Sequence, residues 1–497
     1  MGPLSFVFFD TETTGLKHGF DQIVHFAAIR TDADLNEIGR FEARSRLLPH
    51  VLPHPAALRT NGLPIGRLLD ASLPSHYNMV RAIQQRLLSW SPSIFLGYNS
   101  IRFDEEMLRH ALFQTLHPAY LTSYHNNSRA DVWGLVMAAA AVSPACLNVP
   151  IGPERRPIFR LEQLALANGV AHEQAHNALS DVIASLELCR LVHQRSPELW
   201  QRFVRFSKKA TVADFVEAED GFMLTEFFAN QAYHAPVACI GRDPDQANGR
   251  FFLNLNSDVG RFAAMTDDEL RAELAQKPCP VRRLRINAAP TLTALYDAPE
   301  GMLDGVDVDA IESRARRVKG DPALCTRLVS AYTSTREPRI PSRHTEGRLY
   351  DGFPGPQDEA RLVEFHDADW TDRLPIIQSL NDERLRFFGL RLLYFEARSV
   401  LPEALRLELE HALSGRLVDA DAGGLTIEQA LSAIDETPSD AASDAGGVLA
   451  DYRAYLVGRM VRVNEFRAKQ SSMLSKVPGI VETHPVKPGC LPSEANE

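Results

Sequence analysis

The chain has 497 residues, which is too long for a single hydrophobic core and predicts two or three domains. Its 45% hydrophobic and 24% charged residues are ordinary for a soluble globular protein, and its net charge of -11 argues against a protein that coats nucleic acid non-specifically. The longest apolar run, residues 132–142, is far below the roughly 20 residues of a membrane span, and six scattered cysteines form no Cys-x-x-Cys pair. We therefore expect no membrane association, no zinc site and no disulfide framework, and, without a signal-peptide pattern, a cytoplasmic location.

The predicted elements divide the chain into four parts. Residues 1–198 alternate between strands near 5–10, 23–31, 38–48 and 94–97 and helices near 76–89, 104–115, 130–141, 161–168 and 178–194, which is typical of an α/β domain with a mixed sheet. Residues 199–356 predict shorter strands and helices, and thus an α+β domain. Helical periodicity dominates residues 357–484, interrupted by a loop at 437–447 that we expect to be flexible, and 485–497 predict a disordered tail.

The first strand brings two carboxylates together. Four apolar residues precede Asp10 and Glu12, and Gly15 follows. Residues i and i+2 of a strand share a face, so both carboxylates project together. Adjacent carboxylates repel each other unless a cation lies between them, and their hard oxygens suit Mg²⁺ or Mn²⁺. The alternative is a solvated strand end with no ligand.

Two later segments supply further candidates. A short apolar strand runs through Gly97 into a helix that opens at Asp104, where an Asp is also explained as a helix cap. His176 precedes the amphipathic helix that carries Asp181, five residues further on. A His at such a helix entry is more commonly an ordinary polar residue than a catalyst. A catalytic role for it therefore depends on the carboxylates found with it, and not on the His alone.

In order and spacing, this set resembles the DEDDh exonucleases, which carry Asp-x-Glu, a mid-domain Asp, and His followed five residues later by Asp. The matching positions are Asp10, Glu12, Asp104, His176 and Asp181.

Further segments are similar to the bacterial exodeoxyribonuclease I family over roughly residues 5 to 480. They are residues 97–104 (GYNSIRFD), 127–129 (NSR), 159–164 (FRLEQL), 285–290 (RINAAP), 349–353 (LYDGF) and 394–398 (YFEAR). The chain departs from that family at Thr11, between the two carboxylates, and at Ala288 and Ala289, where a Lys-Cys-like pair is commoner.

The resemblance implies a ribonuclease H-like exonuclease domain, an SH3-like β-rich domain and a C-terminal helical domain. It implies hydrolysis of single-stranded DNA from the 3′ end to 5′-mononucleotides, processively, in DNA repair and recombination. Two Mg²⁺ ions, which Mn²⁺ replaces in some enzymes, would be held by the four carboxylates, with His176 as general base.

The resemblance also implies substrate contacts and a partner. The contacts are Glu12, Thr13, Tyr98, Asn99, Arg129 and Arg160, although Tyr98 is also explained as core packing and Arg160 as a helix-entry ion pair. The partner is single-stranded DNA-binding protein, through its acidic C-terminal tail, and we expect a monomer. An exoribonuclease and a module that binds single strands without cleaving them stay open as alternatives.

Overall fold

The computed structural model describes residues 4–171, 177–437 and 447–474. Its first part is built on a mixed five-stranded sheet in the order β3-β2-β1-β4-β5, with β1 antiparallel to β2 and parallel to β4. The strands are β1 (Phe6–Thr13), β2 (Ile23–Thr31), β3 (Glu37–Arg44), β4 (Ile94–Gly97) and β5 (Ser128–Asp131). The helices around it are α1 (Pro55–Thr60), α2 (Ile65–Leu68), α3 (His76–Ser89), α4 (Asp104–Gln114), α5 (Val132–Val142), α6 (Leu161–Ala167), α7 (Ala178–Arg195), α8 (Pro197–Phe206) and α9 (Lys209–Ala218).

The central strand β1 is buried on both faces. Phe6 and Phe8 pack with α5 and α7 on one face, while Val7 and Phe9 pack with α3 and α4 on the other. A strand that is covered by helices on both faces needs apolar side chains on both faces, which explains the continuous apolar run. The mixed α/β architecture predicted for this part is thus confirmed.

Most predicted boundaries in this part agree with the structure. The strands at 23–31 and 94–97 coincide with β2 and β4, and the five predicted helices match α3 to α7 within two residues. β1 continues to Thr13 instead of ending at Asp10, because β2 pairs with it as far as that residue. β5 was not predicted, since its sequence Ser-Arg-Ala-Asp has no alternation and its strand conformation comes from parallel pairing with β4.

The second part contains an antiparallel sheet in the order β10-β6-β7-β8-β9. Its strands are β6 (Phe222–Phe228), β7 (Gln231–Arg242), β8 (Gly249–Asn254), β9 (Val281–Arg285) and β10 (Thr291–Ala294), and its helices are α10 (Val259–Ala264), α11 (Asp267–Ala275), α12 (Val308–Lys319) and α13 (Pro322–Ser334). Neighbouring Phe251 and Phe252 point to opposite faces, the first toward α10–α13 and the second toward α8 and α9. This is an α+β arrangement, and the SH3-like assignment stays a prediction.

The third part is helical and packs back onto the first. Its helices are α14 (Pro356–Asp367), α15 (Arg373–Ser379), α16 (Glu383–Glu396), α17 (Glu403–Gly415), α18 (Ile427–Asp435) and α19 (Val448–Leu474). One shared core joins Tyr77 and Phe113 to α14–α16, and a second joins Val24 to α18 and α19. The helical region is thus joined to the first part of the chain through two separate cores.

The predicted domain boundaries stay predictions. The boundary at 198 falls within α8, which packs Trp200 into the first core and Phe206 into the core of the second sheet. Residues 438–446 of the predicted loop and the predicted tail 485–497 lie outside the described residues. Among the helices described, none is long and apolar enough to cross a membrane.

Candidate active site

Three carboxylates converge where β1 meets the start of α7. Asp10 and Glu12 continue the face of β1 that carries Phe6 and Phe8, and this face packs against α7. Asp181 lies in the first turn of α7, whose N-terminus is capped by Asn177. One ligand oxygen from each of the three carboxylates lies within 4.8 Å of the others. The two-residue repeat of β1 and the packing of α7 against this strand therefore bring these three residues together.

The cluster is electrostatically strained without a cation. Burial, together with the charges of Asp181 and Asp104, raises the pKa of Glu12 to about 8. Burial also raises the pKa of Asp10 well above its ordinary value, together with repulsion from Asp104, Asp181 and Glu12. A divalent cation among these oxygens would relieve the repulsion and keep the carboxylates ionised. This donor set fits Mg²⁺ or Mn²⁺.

The fourth carboxylate approaches from the opposite face of β1. Asp104 is the first residue of α4 and is buried, and its Oδ1 accepts hydrogen bonds from the backbone N–H of Thr11 at 3.0 Å and from its hydroxyl at 2.6 Å. Burial raises the pKa of Asp104 and both bonds from Thr11 lower it, which leaves the pKa at about 7. Thr11, a departure from the resembled family, thus holds Asp104 beside the other three carboxylates.

A partly buried Asp that the sequence reasoning missed supports the loop between β4 and α4. Asp131 ends β5, and its carboxylate accepts hydrogen bonds from the backbone N–H groups of Asn99 at 2.8 Å, Ile101 at 3.2 Å and Trp133 at 3.0 Å. Asn99 has φ of 58°, a left-handed conformation that needs such support. The available signal was an Asp directly before the apolar helix α5, which is the pattern of a helix cap.

Tyr98 and Asn99 lie on this same loop, between β4 and α4. The Tyr98 hydroxyl donates to the Phe159 carbonyl at 2.6 Å, and its ring packs against the first core. Asn99 is exposed. The loop turns sharply at Gly97, where a Cβ atom would lie 2.6 Å from the Phe9 carbonyl oxygen. Contact with substrate stays a prediction for both residues.

Arg129 is occupied within the protein. Its guanidinium is 7% exposed and donates to the Glu105 carboxylate at 3.1 Å and to the Asn287 carbonyl at 3.2 Å. Arg109 shares the same Glu105 oxygen at 3.0 Å. Arg129 therefore joins α4 to the second part of the chain, and a direct substrate contact stays a prediction.

The remaining predicted residues occupy different settings. Thr13 is buried at the end of β1, and its hydroxyl donates to the Gly15 carbonyl at 2.8 Å. Arg160 is exposed at the start of α6. His176 lies outside the described residues, so its role as general base stays a prediction. The candidate site is therefore defined by Asp10, Glu12 and Asp181, which lie together, and by Asp104 beside them.

Comparison with known proteins gives a family for the first part and relatives for most of the chain. Residues 7–189 match the RNase_T exonuclease family. Exodeoxyribonuclease I of Escherichia coli is 27% identical over 378 residues, which are 72% of this chain and 78% of that protein. Exodeoxyribonuclease I of Haemophilus influenzae is 27% identical over 430 residues, which are 82% of this chain and 86% of that protein.

Solved structures share the fold over nearly the whole chain. A moderately thermophilic exonuclease I from Methylocaldum szegediense is 25% identical, with a TM-score of 0.80 over 92% of this chain and 99% of that one. E. coli exonuclease I in complex with a dA16 oligonucleotide is 22% identical, with a TM-score of 0.79 over 93% and 100%. A structure of SSB and exonuclease I with the inhibitor CFAM is 22% identical, with a TM-score of 0.78 over 92% and 100%.

The likeness spans all three parts of the chain, and the ribonuclease H-like expectation for the first sheet is confirmed. The chain is therefore a nuclease with an RNase_T exonuclease domain, and it is similar to exodeoxyribonuclease I over most of its length.

Proposed function

We propose that this chain hydrolyses single-stranded DNA from its 3′ end and releases 5′-mononucleotides. The observation that carries the proposal is the convergence of Asp10, Glu12 and Asp181 with Asp104 beside them, within an exonuclease domain. The names of the similar proteins and the dA16 oligonucleotide bound to one of them support single-stranded DNA as the substrate.

Two divalent cations would bind among the four carboxylates. Asp10, Glu12 and Asp181 would hold one of them, and Asp10 and Asp104 the other, with Mg²⁺ as the first candidate and Mn²⁺ as a substitute. When bound, such cations lower the pKa of an attacking water and offset the charge that develops on the phosphoryl group and the leaving 3′ oxygen.

The protein's own residues would position the metal-binding carboxylates and deprotonate the attacking water. Thr11 holds Asp104, and Asp131 holds the loop that leads into α4. His176 would take the proton of the attacking water as general base, a role suited to histidine because a free imidazole titrates near neutral pH. A His176→Ala variant is expected to lose most of its turnover and to keep its affinity for DNA.

The second and third parts of the chain suggest a reason for processive action. The helical part shares two cores with the nuclease domain, and Arg129 links that domain to the second sheet. A DNA strand that contacts all three parts of the chain would stay bound between successive cleavages. We also propose a role in DNA repair and recombination, with single-stranded DNA-binding protein as a partner that binds through its acidic tail. The similar SSB and exonuclease I structure supports the choice of this partner protein.

The test is digestion of matched oligonucleotides labelled at the 3′ or the 5′ end. Single-stranded DNA, duplex DNA and RNA are offered with Mg²⁺, and Asp181→Ala is the control. We expect immediate release of the 3′ label from single-stranded DNA alone, with gradual shortening of 5′-labelled strands. Preference for RNA would favour an exoribonuclease, and binding without cleavage would favour an inactive module.

A further inference from the structure

A cavity of about 250 Å³ lies where three helices of the third part meet the segment between β3 and α1. Its wall is formed by the end of α16, by α17 and the residues after it, by α19, and by Pro49 and His50. Leu413, Leu417 and Val463 make one part of this wall apolar. None of the four carboxylates of the candidate active site lines the cavity. A concave, partly apolar space of this size suits one small ligand.

Arginines give this cavity a positive charge. Arg398, Arg459 and Arg462 line it, and Glu410 is paired with Arg398. Within the described part of the chain, Arg459 and Arg462 form no ion pair, and the wall holds no second carboxylate. Two arginine charges are therefore left unbalanced here, although the whole chain has a net charge of -11. Because guanidinium groups bind phosphate and carboxylate oxygens, this wall favours an anion.

Two buried nitrogen atoms of the wall lack a hydrogen-bond partner among the described residues: Nδ1 of His50 and Nε of Arg459. His50 is only 7% exposed, and its ring stacks on Phe395 with the ring centres 5.2 Å apart. Arg459 donates from Nη2 to the Pro49 carbonyl at 2.7 Å, which leaves its Nε free to donate to a ligand. Buried polar groups are normally hydrogen-bonded, so these two atoms indicate a polar ligand beside them.

Aromatic rings form the remaining part of the wall. The ring centres of Tyr394 and Phe395 lie 5.3 Å apart, and the Arg398 guanidinium lies 4.9 Å from the Tyr394 ring centre. Phe466 of α19 is half-buried and lines the same cavity. Flat heterocycles pack well against aromatic and guanidinium groups. The wall therefore favours a ligand that combines a flat ring with an anionic group.

We propose that this cavity binds a nucleoside 5′-monophosphate, with the phosphate at Arg459 and Arg462 and the base against the aromatic part of the wall. An anion without a ring would leave the aromatic side chains without a partner. The choice of a nucleotide rests on the proposed function, because that reaction releases 5′-mononucleotides. The unbalanced arginines and the unpartnered nitrogens do not depend on it. The inference adds a product-binding site outside the carboxylate cluster.

The test is equilibrium dialysis of labelled 5′-dAMP against the full chain carrying Asp181→Asn, in EDTA, so that no divalent cation holds the nucleotide at the carboxylates. Arg462→Gln removes a charge from the cavity and Phe466→Leu removes a ring, and neither side chain is fully buried. Arg453→Gln is the matched control, because Arg453 lies on the same helix but pairs with Asp435 and does not line the cavity.

We expect one dAMP to bind per chain, with affinity that falls about fivefold or more in each cavity variant and stays unchanged in the control. Deoxyadenosine and inorganic phosphate each carry half of the ligand, so each should bind at least about tenfold more weakly than dAMP. Melting temperatures of the variants check that each protein is folded.

Three results would overturn the inference. The first is no saturable binding of dAMP at about 5 mM, and the second is equal affinity in the cavity variants and the control. The third is inorganic phosphate bound as tightly as dAMP, which would mark a plain anion site. Failure of the proposed function is seen separately, as a parent protein that does not digest single-stranded DNA, because the dialysis requires no cleavage.

Discussion

Replacing Thr11 with Val removes one hydroxyl that bonds to Asp104, the fourth proposed metal ligand, and changes little else. The lost hydrogen bond is 2.6 Å long and buried, and the backbone bond from the same residue at 3.0 Å remains. A hydrogen bond to a charged group contributes about 1.5 to 3 kcal/mol. Because this bond stabilises the ionised carboxylate, its loss should raise the pKa of Asp104 by about 1 to 2 from its value of about 7 in the metal-free protein.

The expected result is a loss of turnover that depends on pH and on metal concentration. Protons compete with the cation for Asp104, so Thr11→Val should need more Mg²⁺ for half-maximal activity and should lose roughly tenfold or more in rate near pH 7. The loss should shrink as the pH rises toward 9. The assay is initial-rate digestion of a labelled single strand across pH and Mg²⁺ concentration.

Two controls separate this effect from general damage. Thr11→Ser keeps the hydroxyl and should keep a near-parental pH profile. Thr225→Val removes another buried hydroxyl, which bonds to His234 in the second sheet, and should leave the profile unchanged. An unchanged rate and Mg²⁺ requirement in Thr11→Val at every pH would refute the reasoning.

Three further predictions concern the metal site, a buried ion pair and the acid response. Mg²⁺ should raise the melting temperature of the parent protein because it relieves carboxylate repulsion, and calorimetry should show a much smaller rise in Asp181→Asn. Arg129→Ala should lower the free energy of unfolding by about 3 kcal/mol in urea melts, because Glu105 loses one of its two buried arginine partners. A normal melt with weakened DNA binding would instead favour a substrate contact. Burial lowers the pKa of His366 to about 4 and that of His117 well below its ordinary range, so the stacked pair should cost stability as the pH falls from about 6.5 toward 4; melting temperatures that stay flat over this window would contradict that expectation.

The carboxylates of the candidate site could be predicted from the sequence, because the periodicity of strands and helices determines which face each side chain occupies. The two-residue repeat of a strand puts Asp10 and Glu12 on one face, and the first turn of a helix fixes Asp181. The meeting of β1 with α7 could not be read from periodicity and was inferred from the resemblance. The local sequence pattern therefore identifies the residues of the site, while the tertiary fold determines that they lie together.

Residues that act through tertiary contacts were not predictable in the same way. Thr11 was noticed only as a departure from the family, since its bond to Asp104 joins residues 93 positions apart. Asp131 followed a segment with no strand pattern, and its partners lie on a loop about 30 residues earlier. Arg129 was predicted to contact substrate, but its burial depends on Glu105, which the sequence does not place beside it.

The most direct test of the central claim is the rate of nucleotide release from the 3′ end of single-stranded DNA, measured against Mg²⁺ concentration for the parent protein and Asp181→Asn. DNA binding is measured in parallel on the same preparations. The account predicts release that requires Mg²⁺ in the parent and falls by at least about a thousandfold in the variant, with strand binding retained. Equal release by both proteins, or release by the parent without any divalent cation, would contradict it.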